Sequence, residues 1–358
     1  MKLSQSLTTA VLLLGLSGSS LAGRFCQPED PCWPTLEEIS AFAASLNPSQ
    51  PDCWGSFASR EEPGEYVDNL WYPEAPDRLT IYELATLRNK VMDTNQVFFV
   101  VIAKDQSDVV KAVKFATEHN IGISVFSTGH EFNDRNGGVE PNSLLIRTTC
   151  LRTTELELAE SNKFGHPDGW ARLGSGLTWG TSKFGWPGVH QTARDAGRVV
   201  VSGHAGNVGI VGWSLGGGHG QLVGSHGLGV DQVLEVEMVI ADGSVVVANS
   251  GGTTVRSPAG RMEWSEDTDL FWAVRGGGAG PWGVVTHLTI KLHRPRNNCE
   301  EGCYTNYNLM WYNKFDADDA ALAVDVTQAY MNWVGGVASR YWSSYGGMSP
   351  GERGSHWD

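Results

Sequence analysis

Between Gly203 and Gly229, eleven of twenty-seven residues are glycine, and no other stretch restricts the fold of this chain as strongly. Glycine alone combines an unobstructed N–H group with free access to positive φ. A run this dense predicts backbone brought close to a partner, with little room left for an ordinary helix or strand. Trp213, His219, His226 and Val208 interrupt the run without forming a repeat, which separates it from low-complexity linkers. It reads as a cradle, and the ligand best served by a nest of amides is a phosphorylated cofactor.

The 358 residues suffice for two domains, and 41% hydrophobic with 18% charged residues is a globular composition. A formal charge of -14, with no run of Lys and Arg, opposes nucleic-acid backbones and anionic membrane surfaces as partners. Lys2, the apolar stretch from Ala10 to Leu16 and the small-x-small site Ser20-Leu21-Ala22 have the layout of a secretory leader over residues 1–22. No stretch is apolar for long enough to span a bilayer, so secretion is expected. Cys26, Cys32, Cys53, Cys150, Cys299 and Cys303 then fall in a compartment that favours disulfides, with the connectivity left open.

Residues 23–80 form a cysteine-containing entry rich in Pro, Trp and turn formers, and Thr80 reads as the cap of a helix through Ile81, Leu84 and Leu87. Val97 to Ala103 is an unbroken, partly β-branched run, the pattern of a strand buried on both faces. A helix capped at Ser107 and a strand from Ile121 to Ser127 complete a β-α-β unit. Its second strand releases Ser127-Thr128-Gly129-His130 at its carboxyl end, where such sheets bind ligands. Further strands are expected at Ser143–Thr148, Arg172–Gly176 and Arg198–Val201, around a helix over Leu177–Phe184. Asp242-Gly243 predicts a hairpin between Val233–Ile240 and Ser244–Ala248. A helix from Asp269 to Arg275 stops at Gly276-Gly277-Gly278, and Val284–Leu292 alternates as a strand. Beyond a boundary at 295–303, a strand near 304–311 and a helix near 318–333 are expected.

Three literal motifs lack their structural context. Gly278-Ala279-Gly280-Pro281-Trp282-Gly283 is a G-x-G-x-x-G, yet a β-type run follows it where a dinucleotide fingerprint needs a helix. Gly212-Trp213-Ser214-Leu215-Gly216 is a G-x-S-x-G, but glycines stand where the helix behind a nucleophilic serine must form. His204, His219 and His226 show no i, i+4 pair and no framing carboxylates, so no metal is assigned.

Five segments in order carry a resemblance: S-T-G-H at 127–130, G-I-V-G-W-S-L-G-G-G-H-G at 209–220, G-L-G-V-D at 227–231, D-L-F-W-A-V-R-G-G-G at 269–278 and V-V-T at 284–286. Over residues 97–295 the chain resembles the berberine-bridge-enzyme-like flavin oxidases of the vanillyl-alcohol-oxidase superfamily. That resemblance implies an α+β fold: a two-subdomain PCMH-type FAD-binding domain over 81–295, then an incomplete substrate domain over 296–358. It implies FAD as cofactor, with Ser127, Thr128, Gly129, His130, Gly206, Val208, Gly209, Gly212, Trp213 and Val285 as the binding residues. By the same resemblance, His130 is the covalent tether to the flavin. Ala205 stands where many members carry a second tethering cysteine, Trp213 replaces a motif histidine, and Val208 occupies a position that favours O2 as electron acceptor.

The implied activity is a secreted oxidase that moves a hydride from an alcohol, sugar or alkaloid-like substrate to flavin and then to O2, giving hydrogen peroxide. No catalytic base is legible. The family's substrate domain extends further than residues 296–358 do, so a non-catalytic or degenerate flavin-binding protein is the alternative. A serine hydrolase using Ser214 is a third reading.

Overall fold

The computed structural model describes residues 25–47, 65–67, 70–72, 97–128, 130, 142–160, 162–181, 186–278 and 280–295, with helical backbone at 324–325, 328–329 and 331–332. The expected leader, the 81–87 helix, Gly129 and the 304–311 strand lie outside the described residues, as do Cys53, Cys299 and Cys303.

Helix α1 (Leu36–Ser45) opens with a capping box between Thr35 and Glu38 and buries Ile39, Phe42 and Ala43. Strands β1 (Glu65–Val67), β2 (Leu70–Tyr72) and β3 (Val97–Ile102) lead to α2 (Gln106–Glu118), then β4 (Ile123–Phe126) and β5 (Ser143–Arg147). These five strands form one sheet in the order β1-β2-β3-β5-β4, with β3, β5 and β4 parallel. The expected β-α-β unit is present, and β5 inserts between its two strands.

The cap of α2 is Asp105 and not Ser107. The Asp105 carboxylate accepts from the amides of Ser107 and Asp108, and the Ser107 hydroxyl itself donates to Asp105 at 2.6 Å. A carboxylate two residues upstream outcompetes a neutral hydroxyl for first-turn amides. Asp108 is fully buried. It accepts from the Lys104 amide at 3.0 Å and from the Asn47 amide at 2.9 Å, which fastens the entry segment to this helix.

The second sheet is antiparallel. It contains β6 (Thr154–Glu157), β7 (Trp170–Gly174), β8 (Val233–Val239), β9 (Val245–Asn249), β10 (Gly252–Arg256), β11 (Met262–Ser265) and β12 (Val284–Lys291), in the order β11-β10-β9-β8-β12-β7-β6. Packed against it are helices α3 (Val189–Asp195), α4 (Ile210–Leu215) and α6 (Asp269–Gly277), whose buried residues join the strands in one core, while the short helix α5 (Val223–His226) buries none of its residues. Gly243 at φ 81 closes the β8–β9 hairpin, as the Asp-Gly step predicts. Gly278 at φ 73 ends α6. A second core sandwiches α2 between the first sheet and the ends of β8, β9 and β12, through Val239, Val245 and Val284. Helix α2 is therefore shared by the two sheets.

Two expected elements do not form among the described residues. Residues 177–180 are not helical. They run extended against 206–209, with the Trp179 amide on the Val208 carbonyl (3.3 Å), the Gly180 amide on the Gly206 carbonyl (2.7 Å) and a bridge between Thr178 and Gly209. Residues 198–201 make one bridge, Val199 to His293, and no strand, while the Arg198 side chain reaches the Asp168 carbonyl. Strands β6 and β11 escaped the sequence because almost every residue in them is exposed, so no alternation marks a buried face. The glycine run, expected to leave little room for an ordinary helix or strand, contains the short helices α4 and α5. In α4, Ile210, Val211, Ser214 and Leu215 are buried at helical spacing.

Candidate functional site

The first sheet ends its parallel strands where the second sheet faces it, and the loop after β4 is clasped from both sides. The Ser127 hydroxyl donates to the Ser175 carbonyl just beyond β7 (3.0 Å), and the Thr149 hydroxyl beyond β5 donates to the Ser127 carbonyl (3.3 Å). The Thr128 hydroxyl accepts from the Gly209 amide, the N-cap of α4, at 2.9 Å. This approach requires glycine: a Cβ at Gly209 would lie 2.9 Å from Ser127 Oγ and 3.3 Å from Thr128 Oγ1. His130 follows in the same loop, half-buried.

The remaining expected contacts divide by environment. Gly206 is pressed against Gly180, whose Cβ would stand 2.9 Å from Gly206 Cα. Gly212 is exposed, with open space where its Cβ would be. The Val208 side chain packs against the second-sheet core, and Val285 is 4% exposed within it. Ala205 is exposed on the loop that 177–180 holds in place.

Trp213 changes the meaning of the glycine run. A Cβ at Gly229 would meet its ring at 2.2 Å, at Gly203 at 2.8 Å, at Gly218 at 2.9 Å and at Gly220 at 3.4 Å. Its Nε1–H donates to the His219 carbonyl at 3.2 Å, and its ring meets Trp179 edge to face at 5.0 Å. Three glycines, Gly203, Gly218 and Gly229, thus make room for an indole of the chain itself, while Gly220 is kept small by the Ser202 carbonyl, and the inference that the whole run cradles a ligand is corrected to part of it. Nothing in the sequence separates the two uses, because both require an absent side chain.

The motif readings are resolved by placement. Ser214 is 1% exposed inside α4, so its hydroxyl cannot meet an ester as an elbow serine would. Gly283 leads into β12, in keeping with the rejected dinucleotide fingerprint. Among the described residues, the one group of metal-ligand type is Cys26, Asp30 and Cys32, and its two sulfurs are joined in a disulfide. Cys150 is also disulfide-bonded.

A polar seam missed by sequence reasoning joins the sheets beside the clasp. Gln106, in the first turn of α2, donates from Nε2 to Glu237 of β8 and to the Thr286 hydroxyl of β12 (2.9 Å). Its Oε1 accepts from Arg256 of β10 at 3.0 Å. Arg172 of β7 donates to Glu237 at 2.8 Å, and His287 Nδ1 lies 3.5 Å from the same carboxylate. Burial alone would raise the Glu237 carboxyl, but the His287 and Arg172 hydrogen bonds and charges outweigh it and hold the group at about 2.

An FAD-sized ligand with a pyrophosphate fits the chemistry present. The clasp supplies hydroxyls, open space stands where a Cβ at Gly212 would be, and the buried Ser175 hydroxyl beside Ser127 has no protein partner among the described residues.

Comparison with known proteins agrees. Residues 98–249 match the FAD binding domain family. The FAD-linked oxidoreductase apf9 of Gibberella fujikuroi is 29% identical over 309 residues, covering 80% of this chain and 49% of that protein. The FAD-linked oxidoreductase ZEB1 of Gibberella zeae is 30% identical over 318 residues, covering 82% and 52%. Among solved structures, the VAO-type flavoprotein MtVAO615 of Myceliophthora thermophila C1 superposes with a TM-score of 0.53 at 25% identity, over 75% of this chain and 49% of its own. The chain spans about half the length of the curated relatives it matches.

Proposed function

We propose, on the premise that residues 98–249 are an FAD-binding domain of the vanillyl-alcohol-oxidase superfamily, that this chain serves a secreted oxidase of small alcohols, sugars or alkaloid-like molecules. In this reading O2 is the electron acceptor and His130 the covalent anchor of the cofactor. The observation that carries the reading is the clasp of the 127–130 loop onto Ser175 and Gly209, which brings the carboxyl end of β4 against the second sheet.

FAD, held by the loop of Ser127, Thr128 and His130, would supply a two-electron acceptor for a hydride from the substrate, with O2 as the final acceptor and hydrogen peroxide as the product. The chain holds and shields. Ser127 and Thr128 keep their loop against the second sheet, Gly209 lets that loop come close, Gly212 leaves open space beside it, and Trp179 with Trp213 walls the glycine segment with apolar surface. Val208 packs in the core, so the preference for O2 rests on its position in the family motif and not on its surroundings.

The test begins with the visible spectrum of the purified protein, where flavin bands near roughly 370 and 450 nm are expected. The yellow colour is expected to stay with the protein through acid precipitation, and to be released from the His130→Ala variant. Peroxide formation with a panel of sugars, benzylic alcohols and alkaloids then decides between an oxidase and a flavin carrier. A yellow protein silent on every substrate supports the non-catalytic reading, and a colourless preparation refutes both.

A further inference from the structure

We propose that Gln106 and Glu237 form a clamp that sets the spacing of the two walls of the FAD cleft, with Gln106 a positioning residue for the cofactor. The inference rests on the FAD reading above. Gln106 belongs to the helix that follows β3, and its amide reaches three strands of the opposite sheet: β8 through Glu237, β10 through Arg256 and β12 through Thr286. Both of its amide protons have acceptors, and its oxygen accepts a charge-assisted bond. A side chain so fully engaged across a seam fixes distance and rotation together.

The clamp connects to the clasp in two further bonds. Thr286, fully buried, falls at an irregularity in the β12–β8 pairing, between Val285 and His287. Its carbonyl accepts from the Ser175 amide at 2.9 Å, and the Ser175 carbonyl accepts from the Ser127 hydroxyl at 3.0 Å. Displacing Gln106 therefore moves Thr286, then Ser175, then the loop that carries His130. Glu237 is suited to the task because Arg172 and His287 keep it ionised, so the acceptor facing Gln106 does not change with mild acidification.

The same helix supplies a control. Near its other end, the Thr117 hydroxyl donates to the Ala241 carbonyl at 2.7 Å, a second bond between the subdomains that is not linked to the clasp. In the His130→Ala background, where flavin is held without a covalent bond, Gln106→Leu is expected to weaken FAD binding by about tenfold, the equivalent of about 1.4 kcal/mol. It is also expected to change the visible circular dichroism of the flavin that remains. Thr117→Ala is expected to leave both unchanged, whatever it does to the melting temperature. Glu237→Gln preserves shape while removing the charge. It should reproduce the spectral change, and it carries the test if Gln106→Leu does not fold.

Equal effects of Thr117→Ala and Gln106→Leu on the flavin signal would reduce the seam to general stability and overturn the clamp. So would a wild-type flavin spectrum in both seam variants. In either case FAD binding by the wild type stands, whereas a wild-type chain that takes up no FAD overturns the functional reading and the clamp with it.

Discussion

Acidification should weaken this protein well before its carboxylates titrate, because His293 sits where a second proton is unwelcome. Its ring lies 4.4 Å from that of His226 and 5.5 Å from that of His166, and its Nε2 is 2.7 Å from Gln232 Oε1. The Gln232 amide nitrogen donates to the His226 and Leu228 carbonyls. Its oxygen must therefore face His293 as acceptor, and the neutral ring carries its proton on Nε2. A second proton has to enter at Nδ1.

Burial, then His226 and His166, oppose that charge, with Lys291 adding to them and Asp168 partly offsetting them; together they push His293 down to about 3. Asp168 is itself engaged by Arg294 and, through its carbonyl, by Arg198. Because the folded value lies below that of the unfolded chain, the stability contribution is complete above about pH 6.5 and is lost as pH falls toward 3. The loss from this one group is about 2 kcal/mol at pH 5 and about 3 kcal/mol at pH 4, set against a total of roughly 5–15 kcal/mol for a folded domain. Denaturant unfolding of wild type and His293→Gln at pH 7.5, 5 and 4 measures it. The wild type should lose about 2 kcal/mol more than the variant between pH 7.5 and 5. Parallel profiles would refute the assignment of the acid sensitivity to His293.

Gly229→Ala places a methyl group 2.2 Å from the Trp213 ring; displacing that indole should cost about 1–3 kcal/mol or more, read as a lower melting temperature and altered tryptophan fluorescence. In the His130→Ala background, Thr128→Val removes the acceptor of the Gly209 amide and should weaken FAD binding by roughly tenfold, measured by flavin released on gel filtration. Thr35→Ala breaks the capping box of α1 and should cost about 1 kcal/mol in denaturant unfolding with no change in flavin content. Ser214→Ala should alter neither flavin content nor hydrolysis of activated esters, since the hydroxyl is buried; esterase activity lost in this variant alone would restore the hydrolase reading.

What the sequence determined by itself was what short-range physics writes into neighbouring residues. The apolar run from Val97, the helical spacing that follows it and the Asp242-Gly243 step each bias local backbone directly, and the structure has β3, α2 and the β8–β9 hairpin there. The placement of Ser127 to His130 at the carboxyl end of a strand followed from the same reading. Tertiary structure alone decided which groups meet across the sheets: Gln106 with Glu237, Ser127 with Ser175, and His166 and His226 with His293. Each pair joins residues far apart in sequence, and no local preference encodes the partner. The glycine run shows the division most clearly, because its composition announced a close approach while only the folded chain assigned three of its glycines to the indole of Trp213. A missing side chain records that something comes near, and packing decides what.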